Sequence, residues 1–152
     1  MEKMMALALA QARLAAAEGE IPVGAVLVRG DQVLAQAHNR REATHDPTGH
    51  AEIQCLREGA QALGDWRLRE CTLYVTLEPC PMCAGAMLMA QLGQCVYGAA
   101  DPRLGCCGSV YDLPDDPALG GRTQWVAGVC AEECAALLQS FLREKRTEVR
   151  HG

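Results

Sequence analysis

The feature that most constrains the fold of this chain is a pair of short motifs, HAE at residues 50–52 and PCPMC at residues 79–83. The imidazole of His50 and the thiolates of Cys80 and Cys83 are ligand types that zinc prefers. Three protein ligands leave one position of a tetrahedral ion open for water, which is typical of catalytic zinc sites. The fold therefore has to bring together two segments that lie 30 positions apart.

The residues around the three ligands favour a reactive site. Cys80 and Cys83 are three positions apart and share one face of a helix, and Pro79 and Pro81 are typical of a helix start. Thiolates at a helix N-terminus have a lowered pKa, because they lie at the positive end of the helix dipole. Glu52 is not needed as a ligand, so it is the candidate to move protons between a zinc-activated water and a leaving amine.

Two other interpretations of the motifs remain open. A redox C-x-x-C pair would leave His50 and Glu52 without a role. A structural zinc site would need a fourth protein ligand. The other seven of the nine cysteines are the candidates for that ligand: Cys55, Cys71, Cys95, Cys106, Cys107, Cys130 and Cys134.

Length and composition predict a single domain over residues 1–152, with a sizeable core and the ordinary make-up of a soluble globular protein. The nine cysteines are odd in number, and residues 1–14 have the pattern of an amphipathic helix rather than of a signal peptide. No apolar run has the length of a membrane span. We therefore expect a cytoplasmic protein with free thiols and no membrane partner.

The net charge of −5 excludes a strongly basic nucleic-acid-binding protein. The charge is uneven, however, because Arg143, Lys145 and Arg146 lie close together near the C-terminus. A basic helix of this kind can contact phosphates while the rest of the protein stays acidic. A solvated helix face explains the same residues equally well.

Hydrophobic periodicity predicts strands that alternate with helices after an initial hairpin, which is the pattern of an α/β fold. Both ligand-bearing segments then begin helices, and these helix starts can meet at one edge of the sheet. Residues 39–47 have the composition of a polar loop. The predicted helices are 3–17, 50–63, 80–92 and 131–146, and the predicted strands are 21–28, 32–37, 72–77, 94–98 and 123–129.

Several segments together resemble one family. The H-x-E…P-C-x-x-C pattern is the known signature of zinc-dependent nucleobase deaminases. Over roughly residues 4–147, the chain is similar to the bacterial tRNA adenosine deaminases of the cytidine deaminase superfamily. The segments that carry the resemblance are EIPVGAV (20–26), HNR (38–40), DPTGHAEI (46–53), TLEPCPMCAGAM (76–87), GAAD (98–101) and EECAALL (132–138).

The resemblance implies a three-layer α/β/α cytidine-deaminase-like fold with a central mixed five-stranded sheet, and a homodimer. It also implies hydrolytic deamination of the wobble adenosine to inosine in a tRNA anticodon loop, by zinc-activated water. By matched position, His50, Cys80 and Cys83 would hold the zinc ion, and Glu52 would transfer protons.

The resemblance also assigns the substrate-binding residues. Asn39 would hydrogen-bond the base, Asp101 would lie near the ribose, and Val23 and Leu77 would line the base pocket. Each of these residues also has an ordinary structural explanation. Asparagine, as at Asn39, is common in turns, and Asp-Pro, as at Asp101, is a frequent turn dipeptide. The apolar side chains of Val23 and Leu77 suit a protein core.

Phe141, Arg143 and Arg146 would contact the anticodon stem-loop by the same resemblance. Phe141 is the only phenylalanine, and on a helix such a residue is often a core anchor. One departure bears on RNA docking. Where the family often has Asn-His before an arginine, this chain has glycines at 120 and 121 before Arg122.

Two further functions compete with tRNA deamination. A deaminase of guanine or of another free nucleobase or nucleoside would use the same zinc chemistry without a basic C-terminal helix. A non-catalytic, zinc-stabilised binding subunit would have no use for Glu52 beside the ligands.

Overall fold

Turn residues and alternating apolar residues divide the chain into helices and strands. The computed structural model describes the backbone of residues 1–151 and the side chains of residues 1–148. No helix in this part of the chain is both long enough and apolar enough to cross a membrane. In chain order the elements are α1 (Glu2–Ala17), β1 (Gly24–Arg29), β2 (Gln32–His38), α2 (Arg41–Thr44), α3 (Ala51–Leu63), β3 (Cys71–Leu77), α4 (Pro81–Met89), β4 (Gln94–Ala99), a 3-10 turn (Pro117–Leu119), β5 (Gln124–Val126) and α5 (Ala131–His151).

The five strands form one mixed sheet in the order β2-β1-β3-β4-β5. Strand β1 is antiparallel to both β2 and β3, whereas β3, β4 and β5 are parallel. These directions place the start of β1 and the ends of β2, β3 and β4 at the same edge of the sheet, which we call the carboxyl edge. Loops that leave this edge are therefore close together in space.

Two helical layers cover the two faces of the sheet, because side chains alternate across each strand. From β1, Ala25 and Leu27 enter the core beneath α3 and α4, where Cys55 and Met87 are buried. Val26 of the same strand enters the core beneath α1 and α5. This arrangement confirms the predicted three-layer α/β/α fold with a central mixed five-stranded sheet.

The predicted polar loop 39–47 contains a short helix, α2, and in this respect the prediction was wrong. The carboxylate of Glu20 explains the helix. Its two oxygens accept hydrogen bonds from the N–H groups of Glu42 at 3.0 Å and Ala43 at 2.8 Å. The carboxylate thereby satisfies amides that a helix start leaves without partners. This contact spans more than 20 positions, so local periodicity does not reveal it.

Two predicted element ends also move for local reasons. The first strand begins only at Gly24, because Pro22 just before it has no N–H to donate to a sheet. The helix predicted to run to Leu92 ends at Met89, and Gln91 beyond it adopts a left-handed φ of 55°.

We predict that Gly24→Ala destabilises the fold by about 2 kcal/mol or more, at the upper end of the usual range for overpacking. Helix α1 lies so close to β1 that a Cβ at this position would collide with the backbone of Ala8 and Ala12. Gly85→Ala in α4 is the matched control, because nothing lies within 4 Å of the added Cβ. The control should be neutral or stabilising by up to ~1 kcal/mol. Urea unfolding measures both, and equal effects would contradict the prediction.

Candidate active site

Four residues predicted to bind the substrate meet at the carboxyl edge. Val23 directly precedes β1, Asn39 directly follows β2, and Leu77 is the last residue of β3. The N–H of Asn39 donates to the carbonyl of Val23 at 3.0 Å. Asp101 lies two positions beyond the end of β4 and lines the same cavity as the other three. The topology of the sheet therefore explains why residues so far apart in sequence share one site.

His50 and Cys80 occupy equivalent positions at the starts of two helices. Each is the N-cap residue with extended backbone, so α3 and α4 begin one residue later than the periodicity predicts. Pro81 takes the first position of α4, where its missing N–H costs nothing. Neither His50 nor Cys80 caps its own helix with its side chain, so both side chains are available to each other.

The three predicted ligands form a compact cluster. Nδ1 of His50 lies 3.7 Å from Sγ of Cys80 and 3.5 Å from Sγ of Cys83. Tetrahedral zinc, with bonds of about 2.3 Å to sulfur and 2.0–2.1 Å to nitrogen, requires N···S separations of roughly 3.6 Å. The donor set and its spacing therefore fit such an ion. In the described part of the chain no fourth His, Cys, Asp or Glu joins the cluster, which removes the support for a structural site with four protein ligands.

The pKa values of the two cysteine thiols shift in opposite directions. A hydrogen bond from the Cys83 thiol, helped by the nearby His50, lowers the pKa of Cys80 to about 4. The same hydrogen bond and burial raise the pKa of Cys83. The pKa of His50 is raised, chiefly by its hydrogen bond with Cys80. A metal cation binds thiolates rather than thiols, so metal binding should weaken as the pH falls.

Glu52 is a buried carboxyl group without a full set of partners. It lies in the first turn of α3 and is 4% exposed. Its Oε1 finds no hydrogen-bond partner among the described residues. Burial raises the pKa of this carboxyl, because the charged form loses its solvation. An unpartnered buried group beside a metal-binding cluster is typical of a residue used in chemistry rather than in packing.

His50 and Cys80 of the cluster line a small cavity of about 180 Å³ together with Glu52. This is below the roughly 300–1,000 Å³ of pockets for drug-sized ligands, so the cavity suits one flat ring. A larger depression of about 730 Å³ lies at the opposite edge of the sheet, but no metal-binding cluster of the described residues adjoins it. The chemistry therefore favours the smaller cavity. Its lining residues are Ile21, Val23, Asn39, Arg41, His50, Ala51, Glu52, Leu77, Glu78, Cys80, Asp101 and Leu104.

Asn39 and Asp101 each serve the loop that carries them and retain capacity for a ligand. Nδ2 of Asn39 donates to the carbonyl of Ile21, and its Oδ1 accepts from the N–H of Arg41, both at 3.2 Å. Oδ1 of Asp101 accepts from two amides of the following turn, at 3.0 and 3.2 Å. These bonds match the turn roles expected for both residues. Among the described contacts, one amide hydrogen of Asn39 and Oδ2 of Asp101 have no protein partner.

Sequence reasoning missed two buried carboxylates that support the cavity. Glu20 and Glu78 are 1% and 2% exposed, and each accepts hydrogen bonds from the backbone of a loop at the cavity wall. In the sequence each of these glutamates adjoins an apolar or proline-containing run, and this was the signal that could have identified it as a buried carboxylate. Arg41 and Leu104 were also missed, because loop residues have no periodicity that identifies a cavity mouth.

The three predicted RNA-contact residues lie outside the cavity. Phe141 is 8% exposed, and Nζ of Lys145 lies 5.5 Å from the centre of its ring, an environment that matches a core anchor. Arg143 and Arg146 are exposed on α5. Gly120 and its neighbours line the depression at the opposite edge rather than the cavity. RNA contact by these residues stays a prediction.

Comparison with known proteins agrees with this geometry. The family model for MafB19-like deaminases matches residues 1–113. A tRNA-specific adenosine deaminase of Bacillus subtilis (strain 168) is 44% identical over 145 residues, which cover 95% of this chain and 90% of the relative. The chain belongs to the tRNA-specific adenosine deaminase family. It is thus a deaminase.

Solved structures extend the comparison to the fold of this family. A tRNA:A34 deaminase, which edits A to I at the wobble position of transfer RNA, superimposes with a TM-score of 0.86 at 39% identity. The match covers 90% of this chain and 99% of the other. A guanine deaminase from Nitrosomonas europaea has a TM-score of 0.80 at 22% identity over 92% of this chain and 83% of the other, which shows a shared fold.

We predict about one zinc ion per chain and loss of most of it in Cys83→Ala, because two remaining ligands hold zinc poorly. Metal analysis of the purified proteins measures this. Cys130→Ala is the matched control, because Cys130 is half-buried and lies outside the cluster. It should keep its zinc. Full retention of zinc in Cys83→Ala would remove this cysteine from the ligand set.

Proposed function

We propose that this deaminase uses zinc to convert the wobble adenosine of a tRNA anticodon loop to inosine, by hydrolysis. The observation that carries the proposal is the buried carboxyl of Glu52, whose Oε1 has no partner among the described residues, beside the cluster of His50, Cys80 and Cys83, in a cavity of base size. The 44% identity to a tRNA-specific adenosine deaminase over nearly the whole chain supports the same substrate class.

The residues of the cavity divide the chemistry between them. Bound by His50, Cys80 and Cys83, zinc would supply a nucleophile at neutral pH, because it lowers the pKa of a bound water to roughly 7. Glu52 takes a proton from the attacking water and returns protons to the base and to the departing ammonia. The overall reaction converts adenosine and water to inosine and ammonia. The raised pKa of Glu52 suits a group that has to hold a proton between these transfers.

The cavity walls support the assigned binding roles. Val23 and Leu77 provide apolar surface for the faces of the base, and Asn39 offers its remaining amide hydrogen to a ring acceptor. Oδ2 of Asp101 is our candidate partner for the ribose 2′-hydroxyl, the group that distinguishes RNA from DNA. A paired and stacked base cannot enter such a cavity, so the substrate is a base splayed out of an unpaired loop.

Contacts outside the cavity belong to the same proposal. Arg143 and Arg146 are exposed cations on α5 that can meet phosphates of the anticodon stem. We include Phe141 in this RNA-contact group by resemblance, although its ring is buried in the isolated chain.

Two further properties belong to the proposal, an oligomeric state and a cellular location. A homodimer follows from the resemblance, and the exposed side chains of Trp66, Met89 and Leu119 offer apolar surface for a second copy. Placement in the cytoplasm is supported by nine cysteines that are all free, as expected in a reducing compartment.

We predict that Glu52→Gln lowers deamination of an anticodon stem-loop at least about 100-fold, because the amide cannot exchange protons as the carboxyl does. Zinc content should stay at the parent level. Thermal stability should stay equal or rise, since the exchange removes a desolvated carboxyl whose Oε1 has no partner. Glu58→Gln is the control, because Glu58 is exposed on the same helix.

The same assay tests the substrate class. The parent should deaminate the stem-loop and leave free guanine, adenosine and cytidine nearly unchanged. A parent that ignores RNA but deaminates guanine would establish the alternative function. A Glu52→Gln variant with more than about a tenth of parent activity would exclude Glu52 as the proton-transfer group.

Neutralising Arg143 and Arg146 together should weaken stem-loop binding. It should also reduce the slope of log K against log salt concentration by roughly 1.5, because each phosphate contact contributes roughly 0.7–0.9 to that slope. Turnover of bound RNA should change little, since neither arginine lines the cavity. The control neutralises Arg29 and Arg57, which are exposed and line neither the cavity nor the depression beside Trp66, Met89 and Leu119, and it changes the net charge equally. If the double variant binds the stem-loop with the affinity and salt dependence of the parent, Arg143 and Arg146 are only part of a solvated helix face.

A further inference from the structure

One wall of the cavity has little secondary structure to hold it in place. Asp101 and Leu104 lie in the segment that follows β4, where the pairing of Cys107 with Asp112 is the single β-bridge among the described residues. Loops of this kind carry binding residues, but they position a ligand only when something fixes their backbone. One buried side chain supplies that restraint.

The carboxylate of Glu78 makes four contacts with this segment. Oε1 accepts from the N–H of Asp101 at 3.0 Å and from the hydroxyl of Ser109. Oε2 accepts from the N–H groups of Cys107 at 3.0 Å and Ser109 at 3.1 Å. The donors span nine positions of the chain, so one carboxylate closes the whole segment into a loop.

The contacts saturate the carboxylate. Two ionised oxygens offer about four acceptor sites, and four donors fill them. Glu78 is 2% exposed, and no Lys, Arg or His among the described residues forms a salt bridge with it. The partners of the carboxyl group are therefore N–H and O–H dipoles, whose hydrogen bonds are strong in a dry environment. Gly105 approaches so closely that a Cβ there would collide with the carboxyl group.

The same side chain connects the wall to the metal-binding helix. Glu78 lies between Leu77, which lines the cavity, and the Pro79-Cys80 pair that directly precedes α4. The carbonyl of Pro79 accepts from the N–H of Cys106 at 2.9 Å, a second tie between the two segments. A shift of the segment would therefore move one wall of the cavity relative to the cluster.

We propose that Glu78 is a positioning residue, which sets the distance between the Asp101–Leu104 wall and the reacting base through the backbone of residues 101–109. Glu78 acts through Asp101 and Leu104 and does not itself exchange protons. The inference rests on the proposed function, because its readout is turnover of the anticodon stem-loop.

Glu78→Gln tests the proposal, because an amide nitrogen in place of one oxygen faces donors instead of accepting from them. The kcat/KM for the stem-loop should fall at least about tenfold, the scale of losing charge-assisted hydrogen bonds. Most of the loss should appear in KM, with the metal content unchanged. Glu70→Gln is the matched control, because Glu70 is exposed beside the opposite end of the same strand. It should behave as the parent.

A double-mutant cycle separates positioning from general destabilisation. If Glu78 acts through the wall, Glu78→Gln should cost several-fold less in an Asp101→Ala background than in the parent, since coupled residues are not additive. Equal costs in both backgrounds overturn the proposal, as does a loss of metal that parallels the loss of activity. Unchanged kcat/KM in Glu78→Gln also overturns it.

Ser109→Ala is a second variant that tests the same proposal if Glu78→Gln does not fold. This variant removes one donor and leaves the carboxylate in place, so it should raise KM in the same direction by a smaller factor. An unchanged KM overturns the proposal. A parent that does not edit the stem-loop defeats the proposed function instead, and the two failures are therefore distinct.

Discussion

The site depends on two helices that begin at the same edge of one sheet. Helix α3 starts after His50 and α4 starts after Cys80, and the antiparallel pairing of β1 with both β2 and β3 places the two helix starts at the same edge. The first-turn amides of a helix carry partial positive charge, so this edge favours thiolates before any ion is bound. Reversing one strand would separate the ligands, whatever their spacing in sequence.

Sequence predicted the parts of the site that depend on local pattern. The ligand set and Glu52 are identified by residue type and spacing, whereas Val23 and Leu77 were assigned only by the resemblance to the deaminase family. Helix α2 and the loop restraints were not predictable in this way. They depend on Glu20 and Glu78, whose partners lie more than 20 positions away. No local periodicity records such contacts.

The cavity walls show how loops at the edge of a rigid sheet can be held in fixed positions. Strands supply the floor, but Asn39 and Asp101 both lie just beyond strand ends, where the ladder of backbone hydrogen bonds stops. On each side a buried glutamate replaces the missing ladder by accepting backbone N–H bonds. Burial strengthens these bonds, since the medium is less polar than water. The walls can thus be irregular in path and still fixed in position.

The three buried glutamates near the cavity differ in a way that separates support from chemistry. Both oxygens of Glu20 and of Glu78 accept hydrogen bonds from named donors. Glu52 is buried as deeply, yet its Oε1 has no partner in the described part of the chain. The donors of Glu20 and Glu78 occupy both oxygens of each carboxylate, whereas Oε1 of Glu52 remains available to a substrate or a water molecule. Leaving a buried polar group unpaired costs about 1–3 kcal/mol. The fold tolerates that cost at the one glutamate beside the metal-binding cluster, where an oxygen without a partner can serve a reaction.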